Sequence, residues 1–281
     1  MTVLIDSSAR SQWPEFDLLA QTQGESFWQA YKRALPFSHL VIDDLFPAPA
    51  LRAMEQEFEL ASNTIWREYL GGLQRKQGTP PDTRLPPAVQ DYFNLIYSGP
   101  FLRFLSRITG IYDLIPDPAL YGGGMHQVAA GGNFELHVDF HKHPRTGLIN
   151  RLAVITYLND GWTAEDGGAL ELWEMNPPRR VTSVLPEFGR TVIMEQSSRS
   201  AHGHPTPVRE GRQRRSAIAY FYTSGRAGHG SDSLRTTYVA HSGHTRSQRA
   251  ELYLRQRLPR FIIKGLKTLG SAARGRRRGR S

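Results

Sequence analysis

In the stretch FELHVDF, His137 and Asp139 stand two residues apart. On a β-strand that spacing turns both side chains to the same face, so an imidazole and a carboxylate lie side by side without a loop to arrange them. Such a pair supplies two of the three ligands in the two-histidine, one-carboxylate set that holds oxygen-activating iron(II) and leaves coordination positions open. The third ligand must come from a distant strand, and the late histidines before the last strand-like run are His202 and His204, in SAHGHPTPV. Alone, H-x-D is ordinary surface chemistry; its weight comes from the segments that follow it. In RRSAIAYFY, alternation predicts Arg215, Ala217, Ala219 and Phe221 on one face, with Arg214 turned outward as surface charge. A buried guanidinium grips a carboxylate through two N–H groups. Metal plus a dicarboxylate co-substrate is therefore the chemistry this set predicts.

The elements that must position these residues fall into three zones. Residues 1–114 read as a helical support region. FWQAYKRAL, APALRAMEQEF and FLRFLSRITGI carry helical periodicity, Leu51, Met54 and Phe58 sharing one face, and SHLVIDDLF interrupts them as a strand. Residues 115–224 change to short β-like runs: MHQV, FELHVDF, RLAVITYL, ALELWE, RRVTSVL, RTVIMEQ and RRSAIAYFY. Strands punctuated by Gly-Gly, Asn-Asp-Gly and Asn-Pro-Pro predict a sandwich or barrel of the jelly-roll kind, in a chain that is α+β and mainly β. Residues 225–281 read as a loop, a basic amphipathic helix and a disordered tail. From Pro259, Ile262, Leu266 and Leu269 share one helical face.

Composition narrows the chemistry. The chain has 281 residues and no cysteine, which excludes disulfides, thiolate catalysis and cysteine-bound metals. Its net charge of +9 is local, because ten Lys and Arg lie from Arg255 onward and no acid follows Glu251. The remaining 25 basic and 26 acidic residues nearly cancel, so the basicity belongs to the tail and not to the fold. Contact of that tail with an anionic surface is one expectation; a specific nucleic-acid role is not, since no basic face interleaved with aromatics accompanies it. The N-terminus lacks a basic start followed by an apolar run, and no stretch reaches membrane-span length, which together predict a soluble, cytoplasmic protein.

HVDF, RLAVITYLNDGW, DGGALELW, FGRTVIM, SAHGHPTPV and RRSAIAYFY, in that order, resemble the iron(II)/2-oxoglutarate dioxygenases, specifically the prolyl-4-hydroxylase-like superfamily. The likeness spans about Leu120 to Thr223. It implies a double-stranded β-helix with iron(II) on His137, Asp139 and His202, His204 being the alternative distal ligand. It also implies that Arg215 binds 2-oxoglutarate with help from Tyr157, and that ascorbate is a candidate reductant. Gln127 stands where oxygen-sensing relatives carry a tyrosine, so that contact does not transfer.

The implied reaction is hydroxylation of a substrate C–H bond with O2, coupled to decarboxylation of 2-oxoglutarate to succinate. The substrate expected is a metabolite or a carrier- or polymer-bound group; peptidyl proline is the alternative within the same chemistry. A non-catalytic jelly-roll binding protein acting through its basic tail is the alternative of another class. Asp139 as ligand favours hydroxylation over halogenation. His141 and His143 read as loop or pocket-rim residues, Arg151 as a residue at the site's mouth or in a salt bridge, Trp162 and Trp173 as packing, and Gly167 and Gly168 as turn glycines.

Overall fold

In the computed structural model, residues 13–61, 65–225 and 236–257 are described. The helix expected from Pro259 and the arginine-rich end lie outside them. The elements run α1 (Phe16–Arg33), β1 (His39–Ile42), α2 (Ala48–Leu60), β2 (Arg67–Gly71), β3 (Gln74–Gly78), α3 (Pro87–Ile96) and α4 (Gly99–Thr109). They continue β4 (Ile115–Pro116), β5 (Gly124–Val128), β6 (Asn133–Val138), β7 (Ile149–Tyr157), β8 (Leu170–Met175), β9 (Pro178–Val184), β10 (Thr191–Glu195), β11 (Ala201–His204), β12 (Arg214–Thr223), β13 (Thr237–Tyr238) and α5 (Arg246–Arg257).

The helices form where the periodicity places them. Leu51, Met54 and Phe58 are the buried face of α2, and Phe101, Phe104, Leu105 and Ile108 that of α4. Gly110 closes α4 in the left-handed conformation, φ 72°, with its N–H on the carbonyl of Ser106. The first zone also holds a hairpin that helical periodicity does not predict, β2 paired with β3.

The strands form one antiparallel sheet in the order β1-β10-β7-β12-β5-β3-β6-β11-β8-β9, curled into a jelly-roll barrel. Central β12 pairs β7 from Ser216 to Thr223 on one side and β5 from Arg214 to Ile218 on the other. Alternation splits the wall into two apolar layers. Met125, Leu152, Val154, Ile193, Ala217, Ala219 and Phe221 face outward into a core with Phe16, Phe101 and Phe104 of the helices. Ala153, Ile155, Tyr157, Val192, Met194, Leu170, Leu172, Tyr220 and Tyr222 face inward. Each fully buried side chain of this size contributes roughly 1.5–3 kcal/mol. The helical layer thus holds one half of the barrel, and the interior is left for polar chemistry.

Among the described residues two compact units are distinguished, residues 13–70 with 74–239, and residues 71–73 with 240–257. In the second, α5 begins at a reciprocal cap: the N–H of Thr245 donates to Gln248 and the N–H of Gln248 donates to the Thr245 hydroxyl. The same helix holds Gly72, whose N–H donates to Glu251 while Gln248 donates to its carbonyl. Among the described residues, no helix is long and apolar enough to cross a membrane.

Candidate active site

His137 lies near the end of β6 and Asp139 just beyond it. On β11, His202 is the residue directly opposite His137, and a bulge follows before His204 pairs with Phe134. Sheet register thus brings together residues 65 positions apart, and the potential ligand atoms of His137, Asp139 and His202 lie within 4.8 Å of one another, all buried. His137 Nε2 is 3.4 Å from Asp139 Oδ1, and His202 Nε2 is 3.5 Å from Asp139 Oδ2. The other nitrogen of each ring is committed. Nδ1 of His137 meets the carbonyl of Glu135 at 2.8 Å, and Nδ1 of His202 meets that of Ser200 at 2.9 Å. A carbonyl only accepts, so both Nδ1 atoms carry hydrogen and both Nε2 atoms turn a lone pair inward. Two lone pairs facing a carboxylate require a cation between them, either a proton or a metal.

The charges agree. Burial, and then the neighbouring His202, push the His137 imidazole down to about 4. Burial opposes the Asp139 charge, yet the two imidazoles hold its carboxyl well below the usual range. His202 is likewise opposed by burial, but Asp139 raises it above its ordinary value. Tyr220, inward on β12, donates its hydroxyl to Asp139 Oδ2 at 2.9 Å. Phe134 stacks on His137 with ring centroids 3.8 Å apart, which fixes the imidazole plane. His204 is buried beside Phe134 and stands outside the cluster.

The two arginines of β12 sit opposite to the expected facing. Arg214 is 5 % exposed, inside the barrel: its Nε donates to the carbonyl of Gly168 at 2.8 Å and its Nη2 to the hydroxyl of Tyr157 at 3.2 Å. Arg215 points away, to Glu59 at 3.1 Å. The physical reason is that Ala217, Ala219 and Phe221 share the Arg215 face and belong to the helix-packed layer. Gly168, φ 63°, is required here, because a Cβ would meet Arg214 Cδ at 3.1 Å. Among the described residues no carboxylate pairs with Arg214, and burial lowers its pKa, so a buried cation faces the interior beside a phenol.

Around this centre His126 and His204 are also buried, each with an Nδ1 that lacks a hydrogen-bond partner among the described residues. Burial, with Lys76 next, takes His126 down to about 3. Lys76 on β3 completes the ring, its ammonium 3.9 Å from the Phe134 ring centroid. Sequence reasoning singled out neither Lys76, Tyr220 nor Phe134. The remaining expected residues take structural places. His143 is buried against Asp117 at 3.3 Å, while His141 is half-buried with an unpartnered Nε2. Arg151 reaches Thr223 at 3.5 Å, Trp162 donates to the carbonyl of Gly167, and Trp173 donates to Glu171. Gln127 binds Gln77 and Gln213.

An inward His–Asp–His set in a jelly roll, with a buried guanidinium deeper in, has the donor chemistry of the non-haem iron oxygenases. The set fits iron(II), and the carboxylate-free Arg214 fits an acidic co-substrate. Residues 123–222 match the family model of the 2OG-Fe(II) oxygenase superfamily. No curated protein matches the chain in sequence. Among solved structures, a Pseudomonas putida prolyl-4-hydroxylase is similar at TM-score 0.50 and 18% identity, over 71% of this chain and 100% of that one. A Trichoplax adhaerens prolyl hydroxylase, in complex with a hypoxia inducible factor oxygen degradation domain peptide fragment, has TM-score 0.50 at 15% identity, over 76% and 93%. The non-heme alpha ketoglutarate dependent epimerase SnoN from nogalamycin biosynthesis has TM-score 0.54 at 14% identity, over 79% and 97%. Residues 123–222 thus carry a domain of the 2OG-Fe(II) oxygenase superfamily on a prolyl-4-hydroxylase-like fold, which makes the protein a 2-oxoglutarate-dependent oxygenase using iron(II).

Proposed function

We propose that the protein hydroxylates a C–H bond of an organic substrate, a metabolite or a carrier- or polymer-bound group, with iron on His137, Asp139 and His202 and 2-oxoglutarate on Arg214 and Tyr157. The observation that carries this reading is the pair of inward Nε2 lone pairs converging on Asp139. When bound, iron(II), 2-oxoglutarate and O2 supply the oxidation: one oxygen atom goes to the substrate as hydroxyl, the other to succinate, and carbon dioxide leaves. The chain's own residues orient and shield. The carbonyls of Glu135 and Ser200 hold the ligand tautomers, Tyr220 steadies one oxygen of Asp139, and Arg214 with Tyr157 offers a charged N–H and a hydroxyl to the distal carboxylate. Arg214 replaces Arg215 in this role because only Arg214 reaches the interior. A cytoplasmic setting belongs to the same reading.

The test is anaerobic addition of iron(II) and 2-oxoglutarate, which should give a weak visible charge-transfer band. His202→Ala should abolish it and His204→Ala should leave most of it. The reverse pattern would overturn the ligand assignment. Succinate release and product mass then separate a hydroxylated metabolite from hydroxylated peptidyl proline. Succinate formed without oxygen in the product would instead mark an epimerase-type outcome. A non-catalytic binding protein would leave His137, Asp139 and His202 without a reason to converge.

A further inference from the structure

Lys76 is a cation with nothing assigned to it. It stands on β3 at the point where that strand leaves β6, with Gln74 opposite Phe134, and joins β5, with Gln77 opposite Gln127. Its ammonium lies over the Phe134 ring, and that ring lies on the imidazole of His137. The Phe134 ring thus touches both the ammonium and the imidazole of His137. It makes no hydrogen bond and no ion pair among the described residues. Its charge is felt by His126, His202 and His204. Burial, opposed by Asp139 and reinforced by Arg214, brings the lysine down to about 8.

Lys76 is part-buried, and a cation drawn partly out of water without an anion is stabilised by a ligand that brings the missing charge. The co-substrate does not bring it, because both its carboxylates are already matched. On that placement one would face Arg214 and Tyr157, and the other would serve the metal, whose two charges Asp139 and that carboxylate would balance. Lys76 is the positive charge left over. A cation–π contact holds the ammonium in place without neutralising it.

We propose that Lys76 recognises the substrate through an ionised carboxylate, which makes the molecule oxidised an organic acid, whether a free acid or an acidic side chain or terminus of a peptide. This rests on the co-substrate placement above. The hydrophobic side of the same contact, Phe134 with Tyr238 at 6.2 Å, would cover the carbon skeleton next to that carboxylate.

The experiment uses the full chain loaded anaerobically with iron(II) and 2-oxoglutarate, whose visible band shifts when a substrate enters beside the metal. Probes are a panel of free L-amino acids and short acidic peptides, each paired with its carboxamide. In the wild type the band should shift with one or more acids and not with the matching amides. The member that acts decides between a free acid and a peptide. Lys76→Met should raise the midpoint of that shift at least about thirtyfold, and Lys76→Arg should restore most of it. The 2-oxoglutarate midpoint should stay within about threefold in Lys76→Met, which also shows that the variant is folded. Acids and amides acting alike, or no acid shifting the band, would overturn the proposal. So would a tenfold or larger loss of 2-oxoglutarate affinity in Lys76→Met, which would give the lysine to the co-substrate. A wild type that forms no band with 2-oxoglutarate at all would instead bring down the co-substrate placement, and this inference with it.

Discussion

Arg214 and Arg215 are adjacent, identical in chemistry and opposite in environment. Arg214 lies inside the barrel against Gly168 and Tyr157; Arg215 lies outside it against Glu59 on α2. The same division runs the length of β12, with Tyr220 on Asp139 inside and Phe221 among the helical aromatics outside. One strand thus serves two tasks. Its inner face meets ligands, its outer face attaches the wall to its support, and a substitution should act on one property according to its parity.

The largest effect expected on the outer face is on stability. Phe221→Ala removes a fully buried ring packed on Tyr97 and Phe101, and should cost about 3–5 kcal/mol in a denaturant titration. The iron and 2-oxoglutarate affinities of the fraction still folded should stay near wild type. Loss of iron binding at unchanged stability would erase the inner–outer distinction. Inside, Arg214→Ala leaves the ligand's carboxylate unpaired, at about 2–5 kcal/mol, so 2-oxoglutarate should weaken roughly a hundredfold or more while iron binding survives. Isothermal titration of each ligand separately checks this.

A pH series sharpens the inner face further. Asp139 raises His202 above its ordinary 6.5, and iron needs that ring neutral. Iron affinity should therefore be flat above the raised value and fall about tenfold per pH unit below it, as the proton competes for Nε2. A flat profile through pH 6 would exclude His202 as ligand. The smallest effect belongs to Arg215→Ala. Its partner Glu59 is solvent-exposed, so the pair contributes about 0–1 kcal/mol, and 2-oxoglutarate affinity should change less than about threefold. A hundredfold loss there would return the anchoring role to Arg215.

The convergence of His137, Asp139 and His202 was legible in sequence because it depends on the period of a strand, which H-x-D reports directly, and on a late histidine that barrel closure brings opposite. The β-runs of the core were legible for the same reason, each being a short apolar segment bounded by turn residues. The phase of β12 was not. Ser216, Tyr220 and Tyr222 are buried on one face, and Ala217, Ala219 and Phe221 on the other, so hydrophobicity does not reveal which side is the interior. Lys76 escaped because REYLGGLQRKQG is polar and lies among helices. Its central Gly-Gly is a hairpin signal that would have placed two strands there. Nothing in the types of neighbouring residues marks that lysine as one that turns inward.

The pairing of β12 and β3 also sets how each answers to opening motions. β12 is hydrogen-bonded on both sides over most of its length, so its amides should exchange with solvent only when the whole barrel unfolds. β3 is paired with β2 in a hairpin and tied by only two residues to β5 and two to β6, with Lys76 at the junction. Its amides should exchange through local fluctuations that leave Arg214 undisturbed. On the proposed reading, the co-substrate's anchor would sit in the strand expected to exchange most slowly, while Lys76 would ride on a segment able to give way and re-close around molecules of different size.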